Sequence, residues 1–274
     1  VDNSRRPPAG EPSALLRPDL AEPVLDLSRH HPRESLRPFV DYVWVARWTL
    51  TGPYRQQVLP QPRIHVAAEH DHLLVHGVNR KPFERTFTES GQVVGAAFRA
   101  GGFRPFLDAA VGTLEGKVIA AAALPTGHFT ADDAPIARRL LTEPDLSALV
   151  TGLQDYLEAA APQADPMIDE VAHIMKRIEQ DTGIHRVEQV ATMAGVSART
   201  LQRMFTEYVG IAPKWVIQRR RLLDAAEQAH SDDPVDWAAL ADQLGFSDQA
   251  HLVRAFTAAV GTPPATYAKQ TRGH

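Results

Sequence analysis

The feature that most constrains this chain is an internal repeat beyond Pro166. The stretch VATMAGVSARTLQRMFTEYVGIAPKWV is matched by LADQLGFSDQAHLVRAFTAAVGTPPATYA. Ala191, Gly195 and Ser197 align with Ala241, Gly245 and Ser247. After one inserted residue, Leu201, Arg203, Phe205, Gly210 and Pro213 align with Leu252, Arg254, Phe256, Gly261 and Pro264. Each copy reads as helix, tight turn, helix. The small residue lets two helices cross closely. The Gly four positions on ends the first helix in a left-handed backbone. The Ser two positions later, Ser197 or Ser247, is placed to cap the second helix.

The second helix of each copy divides by face. In the first, Leu201, Phe205 and Tyr208 form an apolar stripe, while Arg199, Gln202, Arg203 and Thr206 share another face. In the second, Leu252, Phe256 and Val260 face the core, and Gln249, Val253 and Arg254 point elsewhere. Arg pairs bidentately with guanine and Gln with adenine, so these faces suit base reading. A solvated helix face has the same residue types. A tandem helical repeat also serves as a partner-binding adaptor, although two copies are few for that.

Composition narrows the classes further. The chain has 274 residues and no cysteine, which removes disulfides, thiolate metal sites and cysteine nucleophiles. No apolar run approaches the length of a membrane span, and the opening VDNSRRPPAGEPS lacks the apolar segment of a secretory leader. There is no nucleophile elbow, P-loop or dinucleotide fingerprint, so no catalytic residue and no cofactor is expected. The net charge of −4 makes overall attraction to nucleic acid weak. Phosphate contacts then need local clustering, which Lys214, Arg219 and Arg220, followed by Arg221, supply. The alternative is that some of these arginines form structural ion pairs.

The block from Pro166 to Lys269 resembles the DNA-binding domain of the AraC/XylS family of transcriptional regulators. The stretches SARTLQRMF, VGIAPKWV, LGFSDQAHLVRAF and VGTPPATYA carry the resemblance. It implies an all-α domain of seven helices, with Trp215 to about Gln228 as the long helix joining two helix-turn-helix units. It implies double-stranded DNA as partner, with the two recognition helices in successive major grooves. By that resemblance Arg199, Gln202 and Arg203 contact bases from the first unit, and Gln249 and Arg254 from the second. RNA polymerase is a further partner of such regulators. The location it implies is the cytoplasm, at the nucleoid.

The region before the repeat is read as α+β. Residues 1–33, rich in Pro and Arg, are expected to form a flexible or extended arm. Residues 34–160 are expected to be a β-rich domain ending in helices. Its β-prone runs are Tyr42–Trp48, Ile64–Val66, Leu73–Val75 and Phe83–Thr88. A short helix is expected over Phe103–Leu114, and two amphipathic helices over 132–160, broken near Pro144. Residues 161–165 form a linker and 166–270 the helical domain. PFVDYVWVARW, VLPQPRIHVAAEHDHLLVHG and VGAAFRAGGFRPFL resemble the sensory domains attached to this family, which implies control by a small molecule or by dimerisation through this domain. The leucines of 132–160 suggest a homodimer. Arg99, beside Gly101-Gly102, is a candidate grip for a carboxylate effector. His70, His72 and His76, with His65 nearby, are candidate metal ligands if 70–76 is one strand of a cupin-like barrel. That arrangement defines the competing reading, a metal-dependent enzyme with a helical tail. In the leading reading no metal is bound.

Overall fold

The computed structural model describes residues 25–58, 60–124, 128–229 and 235–271. Eight strands come first: β1 (Leu25–His30), β2 (Val40–Thr49), β3 (Tyr54–Val58), β4 (His65–Glu69), β5 (His72–His76), β6 (Phe83–Phe87), β7 (Ser90–Phe98) and β8 (Val118–Ala120). They pair antiparallel in a six-stranded sheet of order β1-β2-β7-β4-β5-β8 and a separate β3–β6 ribbon. Among the described residues β1 and β8 remain edges. The pairing therefore does not establish the cupin-like barrel considered above. Residues 25–30 are a full strand in register with β2, which corrects the expectation of an arm reaching residue 33. The rest of that expectation, residues 1–24, lies outside the described residues.

Alternation decides which face of the sheet is covered. Val43 and Val45, Val94 and Ala96, Val66 and Ala68, and Leu73 and Val75 are all buried in one core. Two helices lie on the sheet. The helix α1 (Ala134–Thr142) packs on β4, β5 and β7, and α2 (Leu146–Ala160) on β2 and β7. They break around Pro144, as the sequence predicts. On the opposite face Gly95 and Gly91 leave room for indoles: a Cβ there would stand 2.4 Å from the Trp44 ring and 2.5 Å from the Trp48 ring. Trp48 meets Phe87 edge-on at 4.8 Å, and Glu69 accepts from Arg85 at 2.6 Å, so the ribbon is tied to that face.

Four of the six leucines of 132–160 are internal, and Leu141 and Leu146 are partly buried against the same core. Leu140, Leu149, Leu153 and Leu157 are all within 1 % of full burial in the single chain, so the observation that motivated a dimer interface through these helices no longer supports one. The helix expected over Phe103–Leu114 is instead two short 3-10 turns, Arg104–Phe106 and Val111–Leu114. Pro105 and Gly112 discourage a continuous helix. Phe103 and Phe106 gain a better place in an aromatic cluster with Phe39, Phe98 and Phe129.

Seven α-helices follow among the described residues: α3 (Met167–Gln180), α4 (Val187–Met193), α5 (Ala198–Met204), α6 (Pro213–Ala229), α7 (Trp237–Gln243), α8 (Gln249–Val260) and α9 (Pro264–Thr271). No helix among the described residues is long and apolar enough to cross a membrane. The apolar core of α3 to α5 is continuous with that of the β-rich domain, whereas α7 to α9 surround a second core. The helix α6 serves both. Its Val216 and Ile217 belong to the first core, and its Leu222, Ala225, Ala226 and Ala229 to the second.

Candidate nucleic-acid interface

The first helix-turn-helix is α4, a turn and α5. Gly195 sits at φ 66°. The next amide, Val196, reaches back to the Ala191 carbonyl at 3.0 Å, the closure that a left-handed C-terminal residue permits. Ser197 then caps α5, its Oγ accepting from the Thr200 amide at 3.1 Å. A π-helical turn over Phe205–Val209 prolongs α5 to Gly210, at φ 88°.

The second unit repeats this with α7 and α8. Gly245 is at φ 71° and Phe246 N–H reaches the Ala241 carbonyl at 2.8 Å. Its cap differs from the expectation. Asp248, not Ser247, accepts from the His251 amide at 2.7 Å, while Ser247 donates to the Asp248 carboxylate. The residue inserted in the second copy moves the cap one position on. The amide and Ser247 hydrogen bonds, with the Arg254 and His251 charges, outweigh a small burial effect and hold the Asp248 carboxyl below its ordinary value.

The candidate readers stand outward on these frames. Leu201 and Phe205, and Leu252 and Phe256, are fully buried. Arg199, Gln202 and Arg203 are exposed on α5, and Gln249 and Arg254 on α8. Thr206, on the same face as the first three, donates to the Gln202 carbonyl at 3.0 Å. Lys214, in the first turn of α6, is exposed too.

The other basic residues of α6 face inward, which corrects the phosphate contacts expected of Arg219 and Arg220. Arg220 is 4 % exposed, pairs with Asp224 at 3.0 Å and donates to the Thr182 carbonyl at 3.1 Å. Arg219 donates through Nε to the Pro60 carbonyl of the β-rich domain, and burial brings its pKa down to about 10. Arg221 is 8 % exposed and lies over the Phe246 ring, 3.8 Å from its centroid. The three arginines fill the seam where α6 passes from one core to the other. Their run on consecutive residues covers most of the helix circumference, so the letters alone could not tell which pointed in.

Other candidates are engaged or dispersed. Arg99 pairs with Asp169 at 2.7 Å and donates to the Arg37 carbonyl at 3.3 Å. It ties the β-rich domain to α3 and presents no free fork for an effector. His70 lies in the β4–β5 turn at φ 47°, so residues 70–76 are not one strand. His72 faces Asp133 and His76 faces Glu69, at 3.4 and 3.3 Å. Among the described residues no three His, Asp or Glu side chains gather to hold a metal. The sequence reading missed the contact between the domains. Arg104 pairs with Glu207 at 2.6 Å, Tyr208 donates to Asp165 at 2.6 Å, and Gly112 abuts the backbone of Thr206. Burial, with the Asp165 hydrogen bond, raises the Tyr208 phenol to about 12.

Two helix-turn-helix units on one joining helix, with exposed Arg and Gln on both second helices, define a DNA-binding regulator. Residues 190–270 match the family described as "Helix-turn-helix domain", and residues 28–120 the "Domain of unknown function (DUF6597)". The chain is 31 % identical over 91 residues to the probable transcription factor PqrA of Proteus vulgaris, covering 33 % of this chain and 73 % of that protein. It is 26 % identical over 126 residues to the transcriptional activator NphR of a Rhodococcus species, covering 44 % of this chain and about a third, 36 %, of that protein. A solved structure similar to it is a probable AraC family regulator from Rhodopseudomonas palustris, at 23 % identity and TM-score 0.34, over 38 % of this chain and 97 % of that one. The chain belongs to the AraC/XylS family of transcriptional regulators.

Proposed function

We propose that this regulator reads a two-part DNA site, with α5 and α8 in successive major grooves of one duplex face. Arg199, Gln202 and Arg203 read bases in the first groove, Gln249 and Arg254 in the second, and Lys214 touches phosphate. The observation that carries this reading is the outward face of each recognition helix: five polar side chains with hydrogen-bonding heads stand exposed on helices whose opposite faces are fully buried. Exposed donors opposite a fixed apolar stripe meet base edges without moving the core. The second unit reads fewer bases, because exposed Ala250 and half-buried Val253 offer only apolar contact to thymine methyls. The chain carries out no reaction of its own and acts on DNA in the cytoplasm.

We further infer that the boundary between its domains falls at 161–165 and that the β-rich domain transmits a small-molecule signal to the first unit. The contact of Arg104, Val111 and Gly112 with residues 206–210 supports that route. Selection of bound duplexes from a random pool tests the main reading. Enrichment of two short conserved blocks about one helical turn apart is expected. A single block, or none, would overturn it.

A further inference from the structure

The two helix-turn-helix turns have the same backbone but different surroundings. A Cβ on Gly195 would meet nothing within 4 Å. One on Gly245 would stand 2.9 Å from Cγ of His185 and 3.2 Å from its Cβ and Cδ2. His185 belongs to the loop between α3 and α4, in the first unit, so that loop lies directly on the turn of the second. Arg220 anchors the loop by donating to the Thr182 carbonyl at 3.1 Å. The adjoining residue of the turn, Phe246, is 5 % exposed. One side of its ring is covered by the Arg221 guanidinium, and its ring meets His251 of α8 edge-on at 5.2 Å. Two contacts, His185 on the Gly245 turn and Arg221 on the adjoining Phe246, therefore reach the second unit beside the first turn of its recognition helix.

We propose that His185 and Arg221 are positioning residues that fix the orientation of α8 relative to α5 without touching DNA. Among the described residues helix α6 contributes side chains to both cores, and a single helix resists bending at its middle less well than a helix braced on both flanks. His185 braces the turn from the first unit, and Arg221 braces the neighbouring ring from the joining helix. A guanidinium held against an aromatic face in a largely desolvated place is a strong and directional contact. The proposal rests on the reading that both units engage one duplex, and it extends that reading by naming what sets the spacing between them.

The test uses the full chain, whose lack of cysteine makes site-specific labelling clean. Spin labels on Glu188→Cys and Asp242→Cys, both exposed, report the distance between α4 and α7. The parent should give one narrow distribution. His185→Ala and Arg221→Ala should broaden or displace it, and Arg221→Lys should restore most of it. Gly195→Ala and Gly245→Ala strain the backbone alike, but only the second should disturb the distance. On DNA, His185→Ala should weaken binding to the two-part site about tenfold, through lost simultaneous engagement, and leave duplexes with one half intact unchanged. An unaltered distance distribution in both alanine variants overturns the proposal, as does equal weakening on whole and half sites. If the parent binds whole and half sites equally, the two-groove reading fails, and the distance measurement still decides the role of His185 and Arg221.

Discussion

The Arg104 guanidinium and the Glu207 carboxylate lie 2.6 Å apart across the junction between the β-rich domain and the prolonged end of the first recognition helix. Both side chains are about a third exposed or less, so water screens the pair only in part. Beneath it, Val111 fills the space a Cβ on Gly210 would need, at 2.9 Å. The contact is thus an ion pair over an apolar base.

A double-mutant cycle measures this junction. Arg104→Ala, Glu207→Ala and the double variant should yield a coupling of about 0.5–1 kcal/mol in thermal unfolding, the range of partly exposed pairs. The coupling should shrink in high salt. Additive effects would mean that the pair contributes nothing to the junction.

The basic residues should separate into three kinds. Arg203→Ala should leave stability nearly unchanged, cost about 1–3 kcal/mol in binding, and relax preference at one base pair. Lys214→Ala should weaken all duplexes alike and reduce the salt slope by roughly one unit. Arg220→Ala should instead lower unfolding stability by about 2 kcal/mol, because Asp224 loses its partner inside the protein. Binding to a selected and a scrambled duplex at several salt concentrations, beside melting curves, distinguishes them. An Arg220→Ala variant as stable as the parent would place that residue at the surface.

Mild acid should destabilise the β-rich domain through His65. Burial, followed by the Arg63, His76 and Arg29 charges, pushes its imidazole from 6.5 to about 3, with Glu69 opposing. Its Nδ1 accepts from the Trp44 indole at 3.3 Å, which requires the ring neutral at that atom. Below pH 6.5 the unfolded chain takes up a proton that the folded chain refuses. Stability therefore falls as pH drops from 6.5 towards 3, at no more than about 1.4 kcal/mol per pH unit. Glu69 acts lower. Burial raises its carboxyl, but His76 and Arg85 together bring it to about 2, so its stabilisation is full above 4.5 and is lost progressively as pH falls from there to about 2. His65→Gln, which keeps an acceptor for Trp44, should flatten the melting curves between pH 6 and 5. An unchanged pH dependence there would remove His65 as the cause.

The helical half of the chain was legible because duplication writes the same turn twice. A lone Gly-x-Ser means little, but Gly195 and Gly245 with matching apolar stripes leave one economical fold. The outward direction of Arg199 and Arg203 followed from Leu201 and Phe205 by periodicity alone. Strand β1 was hidden because LDLSRH is short and follows a Pro- and Arg-rich lead, and its pairing with β2 is a tertiary matter. Arg219 and Arg220 misled for a different reason. Basic residues are ordinarily surface residues; the Asp224 carboxylate together with the carbonyls of Pro60 and Thr182, the last two distant in sequence, makes their burial tolerable. Asp248 displaced Ser247 as the cap because both can accept from an amide, and the backbone chooses between them.

Helix α6 changes allegiance between Ile217 and Leu222, so the cooperative units of this protein are expected not to coincide with its apparent domains. Heat or denaturant should divide the chain within that helix. The β-rich domain should melt together with the first reading unit as one body, and α7 to α9 as a smaller and weaker one. Phe256→Ala, with a fully buried ring, should lower the smaller transition by about 3–5 kcal/mol and leave the larger one where it was. Calorimetry of the full chain would then record two peaks whose enthalpies are unequal in proportion to these bodies. In a regulator built this way the second helix-turn-helix unit should unfold while the first stays folded against the β-rich domain.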